Sequence, residues 1–311
     1  MTKITEFTFL STDGKTALHG VTWLPSDRET VAVLQISHGV AEYILRYDAF
    51  ARYLNEQGIA VVGHDHLGHG GSIPAGGIPV YFGHGNTWET VVDDIHALRQ
   101  RIAQEYPDLP VFLLGHSMGS FLARSYLIRY PSTVRGAIIM GTGWQPEAII
   151  SGGLTMAKLI ARRKGDSGTS KLVTSLAFGS YNKAFTPVRT PYDWLSADTD
   201  NVDRYIADPL CGNDATVGLF RQMLLGFRFN QKKSQLARMD KRTPIFFVSG
   251  QMDPVGEQGK GVRRSCEAFR NAGVTDLALR LYPGLRHEIL NEASQQSRVF
   301  QDIYQWMAAY I

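Results

Sequence analysis

The chain has 311 residues, of which 44% are hydrophobic and 20% charged, and its net charge is +3. This length and apolar fraction predict a sizeable globular core and exclude a disordered chain, and the absence of a long basic run argues against a nucleic-acid partner. Its two cysteines, Cys211 and Cys266, exclude a disulfide scaffold and a cysteine-rich zinc module, and they fit a reducing compartment.

Two strand-like segments open the chain, Glu6–Leu10 and Ala17–Leu24, and the turn signal Asp13-Gly14 between them predicts an antiparallel hairpin. Beyond the hairpin, short apolar runs alternate with helical patterns, which predicts a mostly parallel sheet with helices on both faces. The predicted elements are, in chain order, strand Val31–Ser37, helix Arg46–Gln57, strand Ile59–Val62, helix Trp88–Glu105, strand Val111–Leu114, helix Met118–Arg129 and strand Ala137–Met140.

The alternation stops near Thr142 and returns only after Leu236. The stretch between contains helical patterns such as Glu147–Arg163 and Val217–Phe227, without a convincing strand. The alternation then resumes with strand Pro244–Val248, helix Glu257–Asn271, strand Leu277–Leu281 and helix Ala293–Tyr310. The predicted organisation is an α/β core formed by residues 1–143 and 237–311, with residues 144–236 as an inserted helical cap, called the insertion below.

No membrane or export signal is evident in the sequence. The first residues, MTKITEFTFLSTDG, lack the apolar stretch of a signal peptide, and no apolar run approaches the roughly 20 residues that span a bilayer. We therefore expect a cytoplasmic protein.

The pentapeptide Gly115-His116-Ser117-Met118-Gly119 carries the strongest chemical signal. It matches G-x-S-x-G between a predicted strand and a predicted helix, which is the context of a nucleophile elbow. In such an elbow the serine lies on a strained turn, the two glycines allow strand and helix to approach, and the helix N-terminus faces the developing oxyanion. The pattern therefore predicts Ser117 as a nucleophile.

A nucleophilic serine needs a base and an orienting carboxylate, which follow in the order Ser, Asp/Glu, His in this arrangement. His287 is the only histidine after Ser117, so it is the predicted base. Asp253 follows the carboxyl end of a predicted strand and is the predicted carboxylate, whereas the rival acids Asp240 and Asp276 precede their strands and fit surface loops.

The predicted oxyanion hole combines two backbone N–H groups. His38-Gly39 follows the first buried strand and directs the N–H of Val40 toward the nucleophile, and Met118 supplies the second N–H from the residue after the serine. His38 itself is interpreted as a buried, hydrogen-bonded residue that shapes this loop.

These residues, taken together, resemble the monoacylglycerol lipase and lysophospholipase group of α/β-hydrolases, also called the serine aminopeptidase S33-like group. The matching stretches are HGVAEYILRY (38–47), DHLGHGGS (65–72), GHSMG (115–119), MDP (252–254) and YPGLRHEILNE (282–292). The resemblance implies an α/β-hydrolase fold, a Ser117-Asp253-His287 triad, oxyanion donors at Val40 and Met118, no cofactor, and a cap in the insertion. Tyr43 departs from the histidine that many relatives carry, which affects the entrance to the site and not its chemistry.

A metal site is the alternative reading of His64, His66 and His69, three histidines within six residues that resemble the H-x-H-x-D-H cluster of metallo-hydrolases. Gly68 stands where that cluster needs an aspartate. We therefore expect a structural turn here, and no metal.

Three functions remain open from the sequence. The first is hydrolysis of small acyl esters such as monoacylglycerols or lysophospholipids through an acyl-enzyme. The second is a peptidase or amidase with the same triad, for which Glu42 and Glu288 are the acids near enough to bind a substrate amine. The third is a binding protein without catalysis. The apolar helix Glu147–Arg163 is predicted either to lie over the active site as a lid, with Leu154 and Leu159 covering the acyl chain, or to pack onto the core. It ends in Arg162-Arg163-Lys164, which also predicts a transient contact of the insertion with a membrane surface.

Overall fold

A computed structural model describes residues 2–311. Its centre is one eight-stranded sheet, and the predicted mostly parallel α/β architecture is confirmed. The strands are β1 (Thr2–Leu10), β2 (Ala17–Pro25), β3 (Ala32–Ser37), β4 (Ile59–His64), β5 (Val111–His116), β6 (Gly136–Met140), β7 (Ile245–Gly250) and β8 (Leu277–Tyr282).

The strand order is β1-β2-β4-β3-β5-β6-β7-β8, and β2 alone runs opposite to the other seven strands. The five strands β3 to β7 are buried along their whole length, because helices cover both faces of the sheet, and this explains their continuous apolar sequences. In the register of β3 and β5, Ser37 pairs with Gly115. The loops that follow these two strands therefore emerge side by side at the carboxyl edge of the sheet.

Ten α-helices accompany the sheet in the described part of the chain. They are α1 (Asp48–Asn55), α2 (Thr87–Glu105), α3 (Met118–Arg129), α4 (Glu147–Lys164), α5 (Lys171–Phe178), α6 (Thr199–Ala207), α7 (Val217–Gln231), α8 (Lys233–Leu236), α9 (Lys260–Asn271) and α10 (Gln296–Ala308). Helix α3 is buried on every side over most of its length. None of the helices in residues 2–311 is long and apolar enough to cross a bilayer.

Three helices begin later than predicted, and one of them, α10, begins at Gln296 and not at Ala293. The segment expected to be helical from Arg46 opens with a 3₁₀ turn, Ile44–Tyr47, before α1 begins. Helix α9 begins at Lys260 and not at Glu257, because Glu257 and Gln258 have φ angles of 50° and 53° and a left-handed backbone does not continue a right-handed helix.

The insertion lies between β6 and β7 and holds helices α4 to α8. Helix α7 packs against both α4 and the core helix α3, which ties the insertion to the sheet. The acidic run beginning at Asp198 starts helix α6, where the Asp198 carboxylate accepts the backbone N–H groups of Asp200 and Asn201 as an N-cap. The division of the chain into a core and a separate cap stays a prediction.

Candidate active site

Ser117 lies in the sharp turn between β5 and α3. Its φ of 54° and ψ of −120° are strained for a residue with a side chain, and its backbone N–H donates to the Met140 carbonyl at 3.0 Å. A Cβ atom at Gly115 would collide with the carbonyl oxygen of Gly119, and one at Gly119 would collide with that of Ser37. The two glycines of the motif are therefore required by the close approach of β3, β5 and α3.

His287 and Asp253 meet beside this turn, on the loops that follow β8 and β7. The His287 Nδ1–H donates to Asp253 Oδ2 at 3.0 Å, and both side chains are buried. Asp253 also accepts the Ser249 hydroxyl at 3.0 Å and the Val255 N–H at 2.9 Å, so its carboxylate is held on both oxygens. The rival Asp240 instead accepts from Ser132.

The other ring nitrogen of His287, Nε2, is buried and has no hydrogen-bond partner among residues 2–311. Ser117 and His287 line the same cavity, without a direct Oγ–Nε2 hydrogen bond. The ring of Trp194, from the insertion, lies 5.1 Å from the His287 ring. The His287 ring also packs against Gly141, where a Cβ atom would lie 3.0 Å from its Cε1.

The loop after β3 faces the serine from the other side. A Cβ atom at Gly39 would lie 3.1 Å from the Cβ of Ser117, which shows how closely this loop approaches. Val40 lines the same cavity as Ser117, and Met118 stands in the first turn of α3, where backbone N–H groups have no helical partner. His38 has Nδ1 2.7 Å from the Gly39 carbonyl and Nε2 accepting the His66 N–H, which confirms that it is a buried, hydrogen-bonded residue.

Glu42 stabilises this loop through several hydrogen bonds. Its carboxylate accepts the Gly39 N–H at 2.6 Å and the Tyr47 hydroxyl at 2.9 Å, and it pairs with Arg46 at 2.8 Å and with His116 Nδ1 at 3.1 Å. Burial by itself raises the pKa of the Glu42 carboxyl, but the hydrogen bond and charge of His116 and the charge of Arg46 outweigh it and hold that pKa well below its ordinary value. Glu42 is therefore ionised.

Arg46 joins this loop to the His287 loop. Its guanidinium binds both oxygens of Glu288 at 2.6 and 2.8 Å, and Asn201 of the insertion donates to the same carboxylate at 2.8 Å. Sequence reasoning did not assign Arg46 a role, although it lies four residues after Glu42 within the matching stretch 38–47. That spacing was the available signal, but the pairing with Glu288 spans 242 residues.

A third carboxylate fixes the insertion onto the His287 loop. Glu292 is buried and accepts the backbone N–H groups of Ala197 at 2.8 Å, Asp198 at 3.2 Å and Arg286 at 3.2 Å. Arg286 in turn donates to two carbonyls of the insertion. The segment that carries Trp194 is thus held against the loop that carries His287.

The histidines of the alternative metal-site hypothesis, His64, His66 and His69, are buried, and their rings pack against other rings. The His66 ring lies 4.2 Å from that of His38 and 5.0 Å from that of His64. Burial lowers the pKa of His64 and that of His69 to about 3, so both are neutral imidazoles. Within residues 2–311 no three His, Cys, Asp or Glu side chains are placed to hold a metal ion.

Two cavities meet at Ser117, and both are also lined by Val40, Phe178 and Trp194. The first, of about 420 Å³, has polar groups along its wall. They are Glu42, His116, Lys171, Thr174, Ser175, Tyr192, Tyr205, Asn213, Asp214, His287 and Glu288.

The second cavity, of about 300 Å³, is lined mainly by apolar side chains. Helix α4 contributes Ile149, Gly152 and Met156 to its wall, residues that share one face of the helix. Leu154 packs against the core instead and Leu159 is 55% exposed, so neither of these two leucines lines the cavity.

The chain is similar to known hydrolases over almost its whole length. The model of the family described as "Serine aminopeptidase, S33" matches residues 28–294. The chain is 29% identical to a monoacylglycerol lipase of Mycolicibacterium smegmatis, with 98% of both chains covered, and 27% identical to the human monoglyceride lipase, covering 92% of this chain and 85% of the human one. A thermostable carboxyl esterase from Bacillus coagulans, solved with glycerol, is 28% identical and superposes with a TM-score of 0.91, covering 99% of this chain and 98% of that one.

Proposed function

The chain belongs to the serine aminopeptidase S33 family and is a serine hydrolase of the α/β-hydrolase fold, and we propose that it hydrolyses monoacylglycerols or closely related monoacyl esters. One observation carries this proposal: two cavities meet at Ser117, a mainly apolar one and another, called the polar cavity below, in which charged and hydroxyl side chains form part of the wall. The ester bond of an amphiphile would lie at that junction, with its acyl chain in one cavity and its alcohol in the other.

In the proposed reaction His287 Nε2 accepts the Ser117 proton as the Ser117 oxygen attacks the ester carbonyl. Asp253 orients the imidazole through Nδ1 and stabilises its charged form. The N–H groups of Val40 and Met118 bind the oxyanion, His287 then protonates the departing alcohol, and water hydrolyses the acyl-enzyme by the same steps. The buried Nε2 atom without a partner supports this assignment, because it is free to take the proton.

Among residues 2–311, the polar cavity has no cluster of cations that would bind a phosphate. Apart from its histidines, its charged lining groups in this part of the chain are the carboxylates of Glu42, Glu288 and Asp214 and a single ammonium group, that of Lys171, and the nearby guanidinium of Arg46 is already paired with Glu42 and Glu288. Phosphate groups in proteins are bound by several arginine, lysine or backbone N–H donors together. This donor set supports monoacylglycerol over lysophospholipid as the substrate class.

The ion pairs of Glu42 and Glu288 disfavour the peptidase alternative. An aminopeptidase needs a carboxylate that is free to bind the substrate amine, but Glu42 and Glu288 are both paired with Arg46. Asp214 is the remaining carboxylate of the polar cavity, and it is exposed to solvent and accepts the Thr174 hydroxyl. Hydrolysis of an aminoacyl amide is therefore expected to be weak.

The exposed leucines of the insertion support contact with a lipid surface. Leu159 of α4 is 55% exposed and Leu172 of α5 is 51% exposed, and the basic residues Arg162 and Lys171 lie near them in sequence. Apolar side chains beside cations are typical of segments that rest on anionic lipid headgroups. We place the enzyme in the cytoplasm, consistent with Cys211 and Cys266 as free buried thiols.

The test is a substrate panel measured with the wild type and with Ser117→Ala. The panel contains monoacylglycerols and p-nitrophenyl esters of increasing chain length, a lysophosphatidylcholine and an aminoacyl-naphthylamide. We expect monoacylglycerols to be the best substrates, and Ser117→Ala to lower kcat on the order of 10⁴–10⁶-fold. Near-normal turnover by Ser117→Ala would contradict the serine mechanism, and faster amide than ester hydrolysis would favour the peptidase.

Ser132→Ala is the matched control. Ser132 also has a positive φ, of 61°, but it lies in a turn where its hydroxyl donates to Asp240. A fluorophosphonate probe should label the wild type and Ser132→Ala to one equivalent and leave Ser117→Ala unlabelled. Labelling of Ser117→Ala would place the nucleophile elsewhere.

A further inference from the structure

The loop that supplies the first oxyanion donor contains a strained residue. Ala41 directly follows Val40 and has a φ of 53°, in the left-handed region that side chains disfavour. Such a conformation persists only where surrounding contacts hold it in place. Within the loop, the Gly39 N–H is held by Glu42 on one side of Val40. The contacts of Ala41 therefore decide how the other side of Val40 is held.

These contacts come from the insertion. The Ala41 carbonyl accepts two hydrogen bonds, from the Tyr205 hydroxyl at 3.0 Å and from the Gly212 N–H at 3.0 Å. Two residues on, the Tyr43 hydroxyl donates to Asp208 at 2.7 Å. All three partners lie between residues 205 and 212, so one short segment of the insertion makes all of these hydrogen bonds with Ala41 and Tyr43 of the oxyanion loop.

That segment is itself firmly held. Tyr205 is buried, and the Arg46 guanidinium lies over its ring at 4.9 Å. Gly212 has a φ of 69°, its carbonyl accepts the Tyr192 hydroxyl at 2.8 Å, and a Cβ atom there would lie 3.0 Å from that hydroxyl. The donors to Ala41 thus have fixed positions.

We infer that the segment 205–212 sets the geometry of the oxyanion hole, with Tyr205 as a positioning residue that holds Ala41, and through it the Val40 N–H, in the orientation that binds the oxyanion. The inference rests on the proposed serine-hydrolase mechanism. It also gives Tyr43 a role, because its hydroxyl reaches Asp208 and adds a further bond between the oxyanion loop and the insertion.

The test uses Tyr205→Phe, which removes one hydroxyl and keeps the ring. Because Gly212 still donates to Ala41, we expect kcat to fall about 3- to 10-fold, in line with the loss of one buried hydrogen bond, while KM stays within about twofold. Affinity for an acyl trifluoromethyl ketone, whose adduct with Ser117 places an oxyanion in the hole, should fall by the same factor. All rates are normalised to the sites titrated by a fluorophosphonate. Tyr43→Phe should give a smaller loss of the same kind.

Tyr126→Phe is the control for ordinary destabilisation. Tyr126 is buried in α3 and its hydroxyl bonds Thr133 at 2.8 Å, away from the oxyanion loop. It should lose stability like Tyr205→Phe but keep kcat and inhibitor affinity. Unchanged kcat and inhibitor affinity in Tyr205→Phe would overturn the inference. A loss confined to glyceryl esters and absent with p-nitrophenyl esters would also overturn it, because the hydroxyl would then contact the alcohol. Failure of the serine mechanism itself would appear separately, as turnover by Ser117→Ala.

Discussion

His64 offers a sharp test of the buried histidine cluster. Both of its ring nitrogens are buried and without a hydrogen-bond partner among the described residues, and its neighbours are the rings of Phe9 and His66, at 5.3 and 5.0 Å. Replacing it with leucine therefore removes no hydrogen bond and keeps a similar volume at the end of β4. At pH 7 we expect His64→Leu to be at least as stable as the wild type, because it no longer buries two unpaired polar atoms.

The difference grows as the pH falls. Burial lowers the pKa of His64 in the folded protein to about 3, against 6.5 for an exposed histidine. Below pH 6.5 the unfolded chain therefore binds a proton that the folded one rejects, and stability present above pH 6.5 is lost as the pH approaches 3. At about 1.4 kcal/mol per pKa unit, the wild type loses about 2 kcal/mol at this residue between pH 7 and pH 5. His64→Leu avoids that loss.

Urea unfolding at pH 7 and pH 5, followed by circular dichroism, measures the effect. His84→Leu serves as the control, because that ring is exposed and water solvates it in both the folded and the unfolded chain. Equal losses between pH 7 and pH 5 in His64→Leu and the wild type would refute the reasoning. The same variant tests the metal alternative: its esterase activity should match the wild type with and without a chelator, and a loss that zinc restores would support a metal site.

Two further variants examine the insertion. Gly152 lines the apolar cavity, and a Cβ atom there meets nothing within 4 Å, so the ring of Gly152→Phe should fill part of the cavity and lower kcat/KM for long-chain esters by about fourfold for each methylene that it excludes. Thr155→Phe on the same helix should not change this preference for chain length. Equal effects of Gly152→Phe on acetyl and long-chain esters would contradict the prediction. The double variant Leu159→Ser with Leu172→Ser should bind anionic vesicles at least about tenfold more weakly and keep its rate on a short soluble ester, since these exposed side chains are expected to contact lipid and not the acyl chain. A parallel loss on the soluble ester would indicate unfolding.

Most of the fold could be predicted because its signals are local. The short buried strands, the Asp13-Gly14 turn and the alternation with helical patterns all lie in consecutive residues, and each has one physical interpretation. The pairing of Asp253 with His287 was also within reach, because chain order and strand ends limit the candidates. The roles of these residues, and those of Val40 and Met118, stay predictions until the variants are measured.

The remaining features depend on contacts between distant parts of the chain. Helix α4 is apolar on more than one side, so its sequence alone suggested Leu154 and Leu159 as residues that cover the acyl chain. The structure turns Leu154 to the core and Leu159 to solvent, because the packing of α4 against α7 decides its orientation. The ion pair of Arg46 with Glu288 was similarly hidden, since buried charges pair across the fold without a sequence periodicity.

The hydrogen bonds between Glu292 and the insertion have a consequence for the design of chimeras between related enzymes. The carboxylate binds Ala197 and Asp198, and Glu288 binds Asn201, so residues 197–201 complete the loop that carries His287. A chimera that replaces all of 144–236 would leave both carboxylates buried without these donors, at a cost of several kcal/mol. A transplant limited to residues 147–190 keeps them. The functional boundary for recombination thus falls inside the insertion, before Trp194, and not at its ends.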